Sequence, residues 1–268
     1  RIALLEQMKA NQPIGKLLVS LGFVSETTLR EALSESLGQQ SIDLSNAIVD
    51  PQALKLVPRD IAKRHHLLPL DYDTTNRRLT LAIADIHNIV GLDRVRTLLP
   101  EHVEIETLIA SESEVDRAID QYYGYELSID GILQEIETGE IDWKSLSATD
   151  DEYSQPVVRL IDSILTDAVK REVSDIHFEP EANFLRIRYR IDGMLRQIRA
   201  LHKSYWPAMT VRIKVLSGMN IAEMRAPQDG RIGLTVSGRQ VDFRVACQPT
   251  IHGENIVLRV LDRQKGIV

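Results

Sequence analysis

The spacing of hydrophobic and polar positions divides the chain into three zones, of which the first spans residues 1–123. Apolar residues there recur at helical spacing in some segments and alternate with polar residues in others. The second predicted helix has Ser25 as its N-cap, followed by Leu29, Leu33 and Leu37 at four-residue intervals. We predict helices at 1–8, 26–37, 51–63, 88–99 and 112–122, and strands at 67–72, 78–84 and 103–109. This alternation predicts a small α/β or α+β domain.

The second zone, residues 124–153, has no sustained periodicity and is strongly acidic. It holds nine acidic side chains and one basic side chain, Lys144. Like charges repel one another and keep such a segment extended. We therefore predict a flexible acidic linker, with a helical turn or two at 130–137.

The third zone, residues 154–268, begins with a strongly amphipathic helix at Pro156. Asp192-Gly193 lies between apolar stretches and is a strong signal for a two-residue hairpin turn. We predict a second helix at 205–216 and strands at 174–178, 184–191, 194–198, 230–236, 240–247 and 255–261. These elements predict a helix-flanked, mainly antiparallel sheet, so the whole chain is predicted to be of the α+β class.

The net charge of −7 is distributed unevenly. Residues 1–123 hold 13 basic and 18 acidic side chains (net −5), residues 124–153 have a net charge of −8, and residues 154–268 hold 18 basic and 12 acidic side chains (net +6). The third zone has 14 Arg against 4 Lys. Because the planar guanidinium group binds phosphate and carboxylate through two parallel hydrogen bonds, we expect an anionic ligand or partner there.

The single cysteine, Cys247, lies in an apolar stretch and excludes an internal disulfide. We interpret it as a buried structural thiol, which fits a cytoplasmic protein. The longest apolar runs are too short to span a bilayer.

The sequence lacks the motifs of several catalytic classes. It has no Gly-x4-Gly-Lys-Ser/Thr phosphate loop, so we expect no ATP hydrolysis by this chain alone and assign no catalytic residue. We predict no metal site, because His65 and His66, as neighbours on a strand, would face opposite ways. Asp175, His177 and Glu179 alternate along one strand face. We interpret them as a solvated or interface face rather than a catalytic cluster.

Two strands near the C-terminal end place like charges opposite each other. If strands 240–247 and 255–261 form a hairpin, Arg244 and Arg259 are directly opposed, because they are symmetric about its turn. Opposed like charges destabilise a sheet, so an anion should lie beside them. Asp242 in an internal salt bridge meets this requirement, and so does a nucleotide phosphate. The spacing alone does not choose between them.

Several longer stretches carry a resemblance to a known family. They are SDIHFEP at 174–180, RYRIDG at 188–193, MNIAE at 219–223, PQDGR at 227–231, HGE at 252–254 and RVLD at 259–262. In this order they resemble the type II secretion and type IV pilus assembly ATPases. Residues 42–88 resemble the N-terminal domain of that family.

The resemblance implies a part in a larger motor. In this family a nucleotide-binding domain with the Walker loop would follow Val268, the whole protein is a cytoplasmic hexamer, and ATP with Mg²⁺ binds between that domain and residues 154–268. By the same resemblance Arg244 and Arg259 bind the ATP phosphates. Residues 1–123 are expected to dock on inner-membrane platform proteins, which makes the protein peripheral at that membrane, and nucleic acid is not expected as a partner.

Some family members bind cyclic di-GMP through a duplicated N-terminal motif. Residues 14–33 resemble one copy, with Gly15 and Gly22 at the expected places, whereas Pro13 and Ser36 depart from the pattern. The other copy survives only as its tail at 4–7, so we favour a helical packing motif. Two alternatives to the regulatory and docking role stay open: a cyclic di-GMP receptor module, and a non-enzymatic scaffold that couples motor to membrane platform.

Overall fold

The computed structural model describes residues 14–138 and 152–262. The chain divides into two compact units, of which the first ends at Gly124 and the second begins at Tyr125. Each unit combines helices with its own sheet, which confirms the predicted α+β class. The predicted helix at 1–8 lies outside the described residues. No helix in the described part is long and apolar enough to cross a membrane.

The first unit consists of short helices around a three-stranded sheet. Strand β3 lies in the middle, antiparallel to β2 and parallel to β4. The helices are α1 (Ile14–Ser20), α2 (Glu26–Leu37), α3 (Pro51–Leu56), α4 (Arg59–His65), α5 (Ile89–Leu98) and α6 (Glu112–Tyr122). The three strands of this sheet are β2 (Leu67–Asp73), β3 (Arg78–Ile83) and β4 (Glu104–Ile109), and the two-residue strand β1 (Ala47–Ile48) does not belong to it.

Local sequence signals set the helix ends in this unit. The Ser25 side chain accepts a hydrogen bond from the Thr28 amide at 3.1 Å, which confirms the predicted cap of α2. The single helix predicted at 51–63 is wrong, because the structure has two helices, α3 and α4, that end and begin around Pro58. Proline has no amide hydrogen and disfavours helical geometry in the residue before it, so the helix is interrupted there.

The second unit is built on a six-stranded antiparallel sheet with the order β8-β9-β10-β5-β6-β7. This arrangement confirms the antiparallel sheet predicted for the third zone. The last strand, β10, therefore lies between β9 and β5. The strands are β5 (Asp175–Pro180), β6 (Phe184–Ile191), β7 (Met194–His202), β8 (Gln228–Val236), β9 (Arg239–Thr250) and β10 (Gly253–Asp262). The helices are α7 (Ile129–Thr138), α8 (Pro156–Lys170) and α9 (Trp206–Ser217).

One face of this sheet is the core of the second unit. The Phe178 ring stacks on Trp206 of α9 at a centroid distance of 5.5 Å. The Tyr189 hydroxyl donates a hydrogen bond to the Ile164 carbonyl of α8 at 3.2 Å. Because strand residues alternate between faces, the polar residues of the same strands point to the opposite face.

The structure differs from the acidic linker that we expected at 124–153. Residues 125–138 belong to the second unit, and Ile132 and Ile136 of α7 are buried. Arg159 of α8 is fully buried and binds both carboxylate oxygens of Glu135, each at 2.8 Å. It also donates a hydrogen bond to the Glu126 carbonyl at 3.0 Å. The rest of the acidic stretch, 139–151, lies outside the described residues.

Candidate functional site

The candidate site lies on the polar face of the second sheet, at the β9–β10 hairpin. The chain turns at Ile251-His252, and Arg244 is directly opposite Arg259 in the register. This confirms the pairing predicted from the sequence. Apolar residues of both strands point to the core, so the two arginines point away from it.

The arginine pair is part of a longer row of charges across the sheet. Arg231 of β8 is opposite Arg244, Asp175 of β5 is opposite Arg259, and Arg190 of β6 is opposite Asp175. Neighbouring strands lie about 4.8 Å apart, so the five residues form a continuous line. The line contains four guanidinium groups and one carboxylate, and it therefore carries an excess of positive charge.

Asp175 is the carboxylate that lies beside Arg259. The Arg259 Nε donates a hydrogen bond to Asp175 Oδ1 at 3.1 Å, and the Arg190 Nε lies 3.2 Å from Oδ2. The Ser174 hydroxyl donates to Oδ2 at 2.9 Å. Burial alone would raise the pKa of Asp175, but the hydrogen bonds from Ser174 and Arg259, with the charges of both arginines, hold that pKa below its usual value. Asp175 is therefore ionised at neutral pH.

Arg244 and Arg231 differ from Arg259 in their surroundings. Both side chains are exposed, and neither has a hydrogen-bond or ion-pair partner within residues 14–138 and 152–262. The sequence offered Asp242 as a partner for the pair, whereas the structure places Asp175 there, on the Arg259 side. The local spacing gave no signal for this partner, because Asp175 is 84 residues from Arg259 in the chain.

The other polar residues of β5 are paired with arginine or with each other. His177 Nδ1 lies 3.6 Å from Glu179 Oε1, and Arg188 donates two hydrogen bonds to Glu179 at 2.9 and 2.6 Å. Burial lowers the pKa of His177 below its usual value. The alternation of Asp175, His177 and Glu179 on one face is as predicted, and their ion pairs account for it without a catalytic role.

A buried polar cluster supports the strand that carries Arg231. Lys214 of α9, only 1% exposed, lies 2.7 Å from the Glu254 carboxylate and donates to the Glu223 carbonyl at 2.6 Å. The Cys247 thiol donates to Glu254 at 3.1 Å. The thiol is buried, as predicted, and this burial, with Glu254, raises its pKa to about 12. The cluster fixes the loop before β8 to the hairpin.

The glycine-containing motif at 14–33 forms α1, a turn and α2 in the first unit. A Cβ at Gly15 would lie 3.0 Å from the Leu29 side chain, so the two helices approach closely. Gly22 has a φ of +71° in the turn that follows α1. The close approach favours the helical packing interpretation. Leu21 and Phe23 nevertheless remain 42% and 54% exposed beside that turn.

A second group of titratable side chains lies in the first unit. His66, Glu112 and Asp116 each place one ligand atom within 4.8 Å of the others. His66 is not on a strand, as we had supposed, but caps the C-terminus of α4 with a φ of 46°. Its Nδ1 lies 2.8 Å from Asp116, and Glu112 pairs with Lys16 at 3.0 Å. These pairs satisfy the three groups without a metal, and the absence of a metal stays a prediction.

Two family models match most of the chain. The model described as "Type II/IV secretion system protein" matches residues 150–268, and the MshEN domain matches residues 37–129. The α1–α2 motif lies almost entirely before the MshEN match. The six-stranded sheet and its charged row lie within the first of these matches.

Named relatives agree with the family models. The type IV pilus assembly ATPase PilB of Myxococcus xanthus is 36% identical over 269 residues, which cover 96% of this chain and 46% of the relative. The type II secretion system protein E of Xanthomonas campestris pv. campestris is 35% identical over 271 residues, which cover 96% of this chain and 46% of the relative. A solved structure of MshE with cdg is 33% identical, with 45% of this chain and 85% of that one covered at a TM-score of 0.38.

The chain spans about half the length of these two curated relatives. The two family matches occupy its two units in the order in which the sequence motifs occur. By these matches the chain belongs to the family of type II secretion and type IV pilus assembly ATPases.

Proposed function

We propose that this chain is the regulatory and docking portion of a hexameric cytoplasmic ATPase that powers type II secretion or type IV pilus assembly. The observation that carries the proposal is the row of arginines on the polar sheet face of the second unit. Among the described residues, three neighbouring guanidinium groups in that row have a single carboxylate beside them. Such an excess of positive charge suits a polyanion, and ATP is the polyanion that an ATPase family implies.

In this proposal Arg244 and Arg259 bind the ATP phosphates. Arginine remains charged at every physiological pH and binds phosphate oxygens through two parallel hydrogen bonds. Arg244 is exposed and unpaired among the described residues, and the Arg259 side chain is 67% exposed with only its Nε bound. Both guanidinium groups can therefore approach a phosphate without first breaking a strong ion pair.

The remaining parts of the proposal concern the longer protein. ATP and Mg²⁺ are held by a Walker-loop domain outside this chain, and residues 154–268 pack on that domain. Residues 1–123 dock on inner-membrane platform proteins, so that the protein is peripheral at that membrane. This chain by itself hydrolyses no ATP, because it lacks the phosphate loop. Turnover by the isolated chain that survives repurification would refute this last point.

The decisive experiment replaces each arginine by alanine in the longer protein, which includes the Walker-loop domain. Arg244→Ala and Arg259→Ala should each lower ATP turnover by a large factor, since arginine fingers contribute about 10³–10⁵ in other phosphoryl-transfer enzymes. The melting temperature of this chain should change little, because either substitution also relieves repulsion between opposed arginines. A chain that loses stability while the longer protein keeps its turnover would contradict the proposal and favour a salt-bridge role.

A cyclic di-GMP receptor is the alternative that one observation favours. Leu21 and Phe23 are exposed beside Gly22 in the motif that resembles the family's ligand-binding copy. A flat ligand that covers these side chains would bury apolar surface. Titration of labelled cyclic di-GMP into the chain, with Phe23→Ser as the variant, tests this function. Saturable binding that Phe23→Ser abolishes supports a receptor, and no binding leaves the packing interpretation.

A further inference from the structure

Asp175 lies where it can orient one of the proposed phosphate-binding arginines. Its side chain is 9% exposed and is held by hydrogen bonds from Ser174 and Arg259 and by an ion pair with Arg190. These contacts fix the position of the carboxylate. A fixed carboxylate in turn restricts the more mobile of its two arginine partners, and Arg259, at 67% exposed against 38% for Arg190, is the more exposed of the two.

The contact between Asp175 and Arg259 uses only one edge of the guanidinium group. The hydrogen bond comes from Nε, at 3.1 Å. Arginine has five N–H donors, and four of them are on the two terminal nitrogens. Among the described residues, the one hydrogen bond of the Arg259 side chain is made through Nε, and none is made through those terminal nitrogens. The pairing therefore holds the side chain and leaves its terminal donors available.

Arg190, the other arginine on Asp175, is arranged differently. Its Nε lies 3.2 Å from Asp175 Oδ2, and its Nη1 donates to the Gly193 carbonyl at 3.0 Å. Its side chain is 38% exposed, little more than half of the value for Arg259. Arg190 is thus tied at two points and acts as an anchor for Asp175, whereas Arg259 is tied at one.

We infer that Asp175 is a positioning residue, which holds Arg259 through Nε so that its terminal nitrogens face an incoming phosphate. This inference rests on the proposed role of Arg259. A long exposed side chain loses rotamer freedom when it binds a ligand, and a pre-oriented one loses less. The excess of arginines in the row also keeps the site positive although Asp175 is present.

The first test uses this chain and does not depend on ATP turnover. In a nitrogen-15 NMR spectrum, the Arg259 Nε–H signal, assigned by its loss in Arg259→Lys, should be protected from solvent exchange in the wild type. Asp175→Asn should broaden or remove it. The matched control is Glu179→Gln, which changes a carboxylate on the same strand and face that pairs with Arg188 instead. An Arg259 signal that persists in Asp175→Asn overturns the inference.

The second test measures turnover in the longer protein as a double-mutant cycle. Asp175→Asn should raise the KM for ATP or lower turnover by about 3- to 10-fold, the effect of one lost orienting hydrogen bond. Glu179→Gln should stay within about 2-fold of the wild type. In the Arg259→Ala background Asp175→Asn should cause no further loss, because it acts through Arg259. An equal loss in both backgrounds would indicate a structural role and overturn the inference.

The two hypotheses fail in distinguishable ways. Unchanged turnover in Arg259→Ala refutes the phosphate-binding role itself, whatever the NMR spectra show. Reduced turnover in Arg259→Ala, together with full turnover and an unchanged KM in Asp175→Asn, refutes only the positioning role of Asp175.

Discussion

The ion pair between Arg159 and Glu135 offers a sharp test of whether α7 is an integral part of the second unit. Glu135→Ala removes both 2.8 Å hydrogen bonds to a guanidinium group that is fully buried. Loss of one partner from a buried pair costs about 3–5 kcal/mol, because the remaining charge is left without compensation. This cost is limited if α7 detaches from the second unit, because water then reaches the Arg159 guanidinium group.

The cost of detaching α7 follows from its buried side chains. Ile132 and Ile136 are 0% and 4% exposed, and each contributes about 1.5–3 kcal/mol when buried. Detachment therefore costs about 3–6 kcal/mol, which is similar to the cost of the unpaired charge. The Glu135→Ala chain should adopt whichever of the two states costs less free energy, the unpaired Arg159 or the detached α7. Its free energy of unfolding for the second unit should therefore fall by about 3 kcal/mol.

Urea denaturation followed by tryptophan fluorescence measures this quantity for the second unit alone. Residues 1–124 contain no tryptophan, and Trp206 lies in α9 of the second unit. The control is Glu137→Ala, on the same helix but exposed, which should change stability by less than about 0.5 kcal/mol. A loss below about 1 kcal/mol for Glu135→Ala, or one equal to that of the control, would refute the reasoning.

Three further predictions concern the sheet of the second unit. Gly230→Ala should destabilise the sheet by about 1–3 kcal/mol, because the added Cβ would lie 2.5 Å from the Ser217 carbonyl oxygen. The control is Gly233→Ala, whose added Cβ would have its nearest atom at 3.5 Å, and it should lower the free energy of unfolding clearly less in the same urea experiment. The pKa of Asp175 in the folded chain is lowered from its usual value of 3.8, so its ion pairs stabilise the fold fully above pH 3.8. This stabilisation is lost as the pH falls through the lower pKa of the folded state. Between about pH 4 and 2, the free energy of unfolding should therefore fall less for Asp175→Asn than for the wild type. The Cys247 thiol, with a pKa of about 12, should react with a disulfide reagent at about pH 8 on the order of 100-fold more slowly than in the urea-unfolded chain, and equal rates would contradict its burial.

The sequence predicts those parts of the fold that depend on neighbours along the chain. The Arg244–Arg259 register follows from a short turn and strict alternation, so it could be worked out before the structure. The partner of Arg259 could not, since the pairing of β10 with β5 joins segments far apart in the chain. Nothing in the alternation of either strand specifies which other strand lies next to it.

The acidic stretch was predicted only in part. The helical turn or two expected at 130–137 is confirmed as α7, but residues 125–138 belong to the second unit and not to a linker. The signal for this helix was present, because Ile129, Ile132 and Ile136 recur at helical spacing. The charge count of the surrounding residues favoured a linker, so we did not predict that this helix packs in a domain core. One of those charges, Glu135, is held by the buried Arg159. Arg159 lies on the polar side of the predicted helix, so the spacing gave no signal that it is buried with an acidic partner.

The central position of the last strand has a consequence for how the second unit folds. With β10 absent, the sheet would fall into two separate pieces, β8-β9 and β5-β6-β7, and neither would have its full set of neighbours. On the ribosome, the sheet can therefore close only after the residues up to Asp262 have emerged. The distant pairing of β10 with β5 also makes this closure slow compared with hairpin formation, since a long loop must be ordered first. Until then, the unpaired edges of β9 and β5 are the most aggregation-prone surfaces of the second unit.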